Sequence, residues 1–382
     1  MMKEKLKTAI VHEWFAEYAG SERVVESFTN IWHNADVFAL VDLLSDEERQ
    51  IVLKSIKPKT SFIQKLPFAK AKHRYYLPLF PYAMESFDFT GYDIIISSSH
   101  AVAKGLKKNP DQLHISYCHS PMRYAWDNAG LYLNQANISK GIRGFAAKRI
   151  LNYLRKWDLK TASRPDYLIA NSRFIAGKIK RIYNRDADVI YPPVDVDKFN
   201  CVKEKDDYFL TASRMVPYKR VDLIVEAFSN LKELKLKVVG QGPEFKRIKN
   251  NASPNIELLG YKNDSELKAL MQNAKAFVFA AEEDFGITVV EAMACGTPVI
   301  ALNKGGAAET VIDSKTGILF NSQDAESIKN AVLDFETKID IFNPQKISDH
   351  AKQFSREIFE NNIREYVRDK SLSFFGEEKT DS

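Results

Sequence analysis

Short apolar runs alternate with stretches of helical period along the whole chain. In the first half, Leu6–His12, Asp36–Val41, Asp93–Ser97, Leu113–His119 and Asp166–Ala170 predict strands. The last three are nearly continuous apolar runs, the pattern of strands covered on both faces of a parallel sheet. Helical periods follow Gly20, and a basic amphipathic stretch covers Ile142–Leu159. In the second half, Tyr208–Ala212, Leu236–Val239, Ile256–Leu258, Ala276–Ala280 and Pro298–Ala301 predict strands. Helical patterns separate them, most clearly Val221–Phe228, Glu266–Gln272 and Val289–Ala294. This alternation predicts an α/β protein built from right-handed crossover units, with enough units for two domains.

The boundary falls at Tyr191-Pro192-Pro193-Val194-Asp195, where two successive prolines end a strand and stiffen a connector. The expected division is a first domain over 1–190 and a second over 191–354. A helical pattern at Ser355–Val367 opens the remainder, 355–382, and either caps the second domain or crosses back to the first. The polar tail Gly376–Ser382 is expected to fray.

Composition narrows the class. At 382 residues, 45% hydrophobic and 27% charged, the chain has the usage of a folded globular protein. No apolar stretch reaches the ~18 residues of a spanning helix, and the N-terminus lacks a secretory pattern, so an intracellular, soluble protein is expected. Cys118, Cys201 and Cys295 stand far apart, which argues against a disulfide framework or a thiolate zinc site. The net charge of +5 divides unevenly: residues 1–190 hold 29 basic and 19 acidic residues, and 191–382 hold 26 and 31. From Arg49 to Met84 there are eight Lys/Arg and no acid, interleaved with aromatics; Ser139–Pro165 has eight against one. Such runs are commonly solvated faces. Concentrated in one half, they also suit an anionic membrane surface. No nucleic-acid-binding signature accompanies them.

The candidate chemistry sits where strands end. Between Ala280 and Ile300 a predicted strand leads through Glu283-Asp284-Phe285-Gly286 into a helix near Ile287, placing Glu283 on the turn and Glu291 about one helical turn inside. Ligands of open parallel sheets bind at the carboxyl ends of the strands, and two carboxylates there can hold hydroxyl-rich groups. Surface acids at a helix start are the plainer reading. Ser213-Arg214-Met215-Val216-Pro217-Tyr218-Lys219-Arg220 follows the first strand of the second half. Cations at a helix start are mildly disfavoured by the dipole, so an anionic partner is indicated. Arg214 offers a bidentate fork and Lys219 a point charge. His100 and His119 end apolar runs; each is either a core histidine or a group facing the crevice.

The whole Ala280–Ile300 string resembles the Glu-x7-Glu motif of the retaining glycosyltransferases of family GT4. That resemblance implies the GT-B fold, in which two Rossmann-like α/β/α domains face each other across a cleft. It implies that Glu283 holds sugar hydroxyls, that Glu291 holds the nucleotide ribose, and that Phe285, Gly286 and Ile287 belong to the donor site. The Arg214–Arg220 segment resembles the family loop whose arginine and lysine hold the donor diphosphate. Tyr18-Ala19-Gly20-Ser21-Glu22-Arg23 resembles its Gly-Gly-x-Glu loop, carrying over Gly20 alone. Gly240-Gln241-Gly242-Pro243 resembles the nucleotide-contacting turn, and Gly260-Tyr261 lies where the base binds. His119 aligns with a histidine beside the donor sugar. His12, His100 and Arg123 fall on the acceptor side.

The strings Tyr-Cys-His119-Ser-Pro-Met-Arg123-Tyr-Ala-Trp-Asp and Ser-Ser-Ser-His100-Ala-Val-Ala-Lys-Gly resemble bacterial O-antigen and capsule mannosyltransferases. The implied reaction moves mannose from GDP-mannose to a glycan on undecaprenyl diphosphate, at the cytoplasmic face of the membrane, through a peripheral, basic first domain. No cofactor or metal is expected, because Arg214, Lys219 and helix N-termini can neutralise the diphosphate. The alternatives are a UDP-sugar-dependent transferase, a sugar-nucleotide epimerase of the same fold, and a non-catalytic nucleotide-sugar or membrane-binding module.

Overall fold

A computed structural model describes residues 6–123, 125–126 and 141–376, with 141–143 by backbone alone. Tyr124, Asp127, the segment 128–140 that includes Ser139 and Lys140, and the tail beyond Gly376 lie outside the described residues. The chain divides into two compact units, one of residues 1–192 with 359–382, the other of residues 193–358.

The first unit is built on seven strands: β1 (Thr8–Phe15), β2 (Asp36–Asp42), β3 (Lys59–Thr60), β4 (Ile94–Ser99), β5 (Leu113–Cys118), β6 (Tyr167–Ala170) and β7 (Asp188–Val189). Their order is β3-β2-β1-β4-β5-β6-β7, and every pairing is parallel. β1 continues three residues past its expected end because Trp14 and Phe15 are buried on its two sides. β3 and β7 are two-residue edge pieces that carry no readable alternation. The helix Gly20–Ile31 places Val24, Val25 and Phe28 against Ile10, Val37, Ile96 and Ile115.

The last helix, Arg356–Phe375, lays Phe359, Ile363 and Val367, spaced four residues apart, into that same core. Phe359 stacks on Phe28 at 6.2 Å between ring centroids and meets Tyr117 edge-on at 5.7 Å. Burying each such side chain stabilises the unit by about 1.5–3 kcal/mol, an upper estimate. A second buried feature is polar. Asp158, on the helix Gly141–Thr161, is fully enclosed and pairs with the Lys104 ammonium. It also accepts hydrogen bonds from Trp126 Nε1 (2.7 Å) and the Tyr183 hydroxyl (2.8 Å).

The second unit carries β8 (Phe209–Ala212), β9 (Leu236–Val239), β10 (Ile256–Gly260), β11 (Ala276–Phe279), β12 (Val299–Leu302) and β13 (Gly317–Phe320). Their order is β10-β9-β8-β11-β12-β13, again all parallel. Helices Val221–Ser229, Asp264–Asn273 and Ile287–Ala294 occupy the predicted places, the second opened by an Asn263/Glu266 capping box. The pattern did not single out β13 or the helices Ala325–Thr337 and Pro344–Ala351, nor the helix Arg173–Tyr183 of the first unit. In each sheet the order reverses beside one strand, β1 in the first and β8 in the second. Such a switch point is where open α/β sheets bind ligands.

Part of the basic run is consumed internally. Arg49 pairs with Asp42 and Asp46, Lys59 with Asp36, and Arg164 with Glu85. Lys57, Lys65, Lys70, Lys72 and Arg74 of the first run are exposed, the last four in the stretch that also holds Phe68, Tyr75 and Tyr82, which are 78%, 76% and 67% exposed. Among the described residues, no helix is long and apolar enough to cross a membrane.

Candidate active site

In the second unit, three loops at strand ends are stitched into one surface. Ser213 N donates to Val239 O, Met215 N to Gln241 O, and Gly240 N to Gly260 O, at 2.7–3.1 Å. The packing is close enough to demand glycine. A Cβ on Gly240 (φ +130°) would stand 1.9 Å from Ser213 O, and one on Gly242 (φ +156°) 2.4 Å from Met215 O. Arg214 projects from this surface, exposed. Tyr261, at the end of edge strand β10 and 71% exposed, stands two strands away from the β8 loop. At ~4.8 Å per strand that is about 10 Å.

Beyond β11, Gly286 (φ +87°) turns the chain into the helix Ile287–Ala294, on which Glu291 is buried one turn in. Phe285 is buried against Phe354, and Ile287 is partly exposed. The turn's leading acid, Glu283, pairs with Lys219 from the β8 loop. Two residues 64 positions apart, singled out separately for their chemistry, therefore meet. Glu283 is held from behind by residues the sequence reading passed over. Gly306 N donates to Glu283 O at 2.8 Å. Cβ atoms on Gly305 and Gly306 would fall 2.4 Å from Glu283 O and 2.2 Å from Phe285 Cα. The Gly-Gly pair after β12 was the available signal.

The first unit gathers three histidines, His12 within β1, His100 just after β4 and His119 just after β5. Ring centroids of His12 and His100 are 5.6 Å apart, and those of His100 and His119 6.3 Å. His119 bonds through Nε2 to Ser98 Oγ at 2.8 Å. Burial, reinforced by His100, His12 and Arg123 and opposed by Glu13, holds its imidazole well below the ordinary range, so it is neutral at neutral pH. Gly20 opens the helix that carries the buried Glu22, whose Oε1 lies 3.6 Å from His12 Nε2.

Glu13 and Glu22 are the residues missed as sites. Burial opposes charge on both, but His100 and His12 beside Glu13, and His12 and Ser21 beside Glu22, hold their carboxyls below the usual range. Burial likewise opposes charge on His12, and Glu22, Glu13 and the Ser98 carbonyl raise it above the ordinary value. In the sequence, Glu13 stands in His12-Glu13-Trp14, a string after the first strand that falls on the acceptor side, with no role of its own there. Its role comes from the loop after β4, which brings Ser99 Oγ and the N–H groups of His100, Ala101 and Ala103 onto Oε1 at 2.8–3.0 Å.

Residues 19–198 match Glycosyltransferase Family 4, and residues 195–354 match Glycosyl transferases group 1. The chain is 31% identical over 197 residues to an uncharacterized glycosyltransferase of Methanocaldococcus jannaschii, covering 50% of this chain and 55% of that protein. It is 35% identical over 141 residues to a GDP-mannose-dependent alpha-(1-6)-phosphatidylinositol monomannoside mannosyltransferase of Mycolicibacterium smegmatis, 32% of this chain and 36% of that one. The chain spans about half the length of the curated relatives it matches. Among solved structures, Anabaena HepE in complex with UDP superposes with a TM-score of 0.68 at 16% identity, over 95% of this chain and all of that one; at such identity the likeness speaks for the fold. Two adjoining family matches, two parallel sheets each with its own switch point, and the Glu283 and Arg214 loops at the second of them place this chain in the family 4 glycosyltransferases of GT-B fold.

Proposed function

We propose that this chain is a retaining glycosyltransferase that moves a hexose, mannose from GDP-mannose, to a lipid-linked glycan acceptor in cell-surface polysaccharide synthesis. The observation that carries the reading is the Lys219–Glu283 pair beside exposed Arg214 at the switch point of the second sheet. Cleavage of a sugar–nucleotide bond builds negative charge on the diphosphate, and cations fixed at that oxygen lower the barrier. Arg214 and Lys219 supply them without a divalent ion at that position. When the donor binds, Lys219 turns from Glu283 to phosphate, and Glu283 is freed for a sugar hydroxyl. Glu291 then takes the ribose and Tyr261 the base, with Gly240, Gly242 and Gly260 letting the backbone approach.

The mannose assignment is supported by the named donor of the mycobacterial relative and by the strings around His100 and His119. The lipid-linked acceptor, taken up by the first unit, and a peripheral place on the cytoplasmic membrane face are supported by the exposed Lys65–Tyr82 face, where aromatic rings and ammonium groups alternate. A panel of GDP- and UDP-sugars tests the donor, because a ligand that binds only the native state raises the melting temperature. GDP-mannose should shift the protein and release GDP only when an acceptor is present. A shift by a UDP-sugar alone would overturn the donor, and conversion of donor without acceptor would favour an epimerase.

A further inference from the structure

We propose that His12, Glu13 and His100 form a binding site for a divalent transition-metal ion of the zinc class. The inference concerns the first unit and is independent of the donor reading, whose cations lie in the second. One ligand atom from each of the three residues lies within 4.8 Å of the others. His12 Nε2, Glu13 Oε2 and His100 Nδ1 are all buried and have no hydrogen-bond partner. Folded proteins rarely leave one such atom unsatisfied, and here three belong to one cluster of residues, His12 and Glu13 within β1 and His100 just after β4. His100 Nδ1 stands 3.1 Å from Glu13 Oε2 without the alignment of a hydrogen bond. That separation is close to the ~3.3 Å between ligands placed ~2.0–2.1 Å from a tetrahedral zinc ion.

The far sides of these groups are anchored as metal ligands are. His12 Nδ1 is 3.0 Å from the Ser98 carbonyl, which fixes the tautomer with its proton there and leaves the lone pair on Nε2. Glu13 Oε1 takes four donors, so the carboxylate cannot turn and Oε2 faces the imidazoles. Charge points the same way. Glu13 and Glu22 put two negative charges into one buried pocket, with Glu22 Oε1 3.6 Å from His12 Nε2. One divalent ion balances both. Two imidazoles and a carboxylate favour zinc and its neighbours over magnesium or calcium, which prefer all-oxygen sets. His100, 24% exposed at its side chain, leaves a route for entry.

The test uses the full-length protein, stripped with chelator and titrated with Zn2+ by calorimetry. Co2+ serves as a spectroscopic probe through its visible absorption. One equivalent of Zn2+ should bind at micromolar concentration or below and raise the melting temperature, with Mg2+ unable to displace it. His100→Gln, at a partly exposed position that leaves the buried anchors in place, should weaken Zn2+ binding by at least ~100-fold and abolish the Co2+ absorption. His12→Gln should do the same, while Cys201→Ser changes neither. Absence of stoichiometric Zn2+ binding overturns the proposal. So does a site whose affinity survives both histidine substitutions, or one that Mg2+ occupies equally well.

Discussion

Asp158→Asn is the perturbation whose cost the structure specifies most directly. The carboxylate and the Lys104 side chain are 0% and 2% exposed, so neither charge is shared with water. Asparagine keeps the volume and one acceptor oxygen, sufficient for Trp126 or Tyr183, but strands the ammonium against the Trp157 and Tyr183 rings. Removing one partner of a buried pair costs about 3–5 kcal/mol, a large part of the ~5–15 kcal/mol that holds a domain together. All four tryptophans, Trp14, Trp32, Trp126 and Trp157, lie in the first unit, so intrinsic fluorescence follows that unit alone. With a urea slope of ~2–3 kcal/mol/M, the fluorescence midpoint should fall by about 1–2 M. Lys104→Met/Asp158→Leu should recover most of the loss, because an apolar pair of similar volume carries no stranded charge. A midpoint change below ~0.3 M for Asp158→Asn, or a double variant no better than the single, would refute the argument.

Three further outcomes follow from the second unit. Arg214→Ala should lower turnover by about 10²–10³ with an unchanged melting curve, since the side chain is exposed; wild-type turnover would remove the proposed diphosphate site. Gly306→Ala should push the Phe285 backbone and weaken donor binding at Glu283, with a stability loss of ~1–3 kcal/mol. Gly177→Ala, mid-helix with nothing within 4 Å, is the control and should stabilise by ~0.5–1 kcal/mol; equal donor affinity in both variants would sink the bracing role of Gly306. Burial lowers the Lys205 ammonium from 10.5 to about 8, its three hydrogen bonds going to the uncharged oxygens of Gln272, Cys295 and Thr297. The unfolded chain therefore holds more protons between pH 8 and 10.5, and the stability of the second unit should rise with pH across that window. Hydrogen exchange of the β11 and β12 amides reads it, and a flat or falling profile that Lys205→Met leaves unchanged would contradict the assignment.

The main strands were legible because parallel strands covered on both faces must be apolar without interruption, as Ile94–Ile96 and Phe277–Phe279 are. The edge pieces Lys59–Thr60 and Asp188–Val189 are too short to show any period. The helix Arg173–Tyr183 was announced by the Ser172 cap, which bonds Ile175 N, but lay hidden beside the more conspicuous basic stretch. At the candidate site, residues whose chemistry is intrinsic stand out in the sequence as candidates: Arg214, Lys219, Glu283, His100 and His119. Residues whose role arises from what surrounds them could not. Glu13 and Glu22 look like ordinary acids until the fold closes over them, and Gly305 matters only through a backbone it nearly touches. The Lys219–Glu283 pairing joins separate loops, and no local pattern encodes it.

The final helix has a consequence for the order of events during synthesis. Phe359, Ile363 and Val367 complete the core around Phe28 and Tyr117, yet the ribosome makes them only after the whole second unit. At ~5–20 residues per second, the first unit waits on the order of ten to thirty seconds with an apolar groove open. It is the first to emerge and the last to be finished, so a newly made chain must be shielded along that groove until its closing segment arrives.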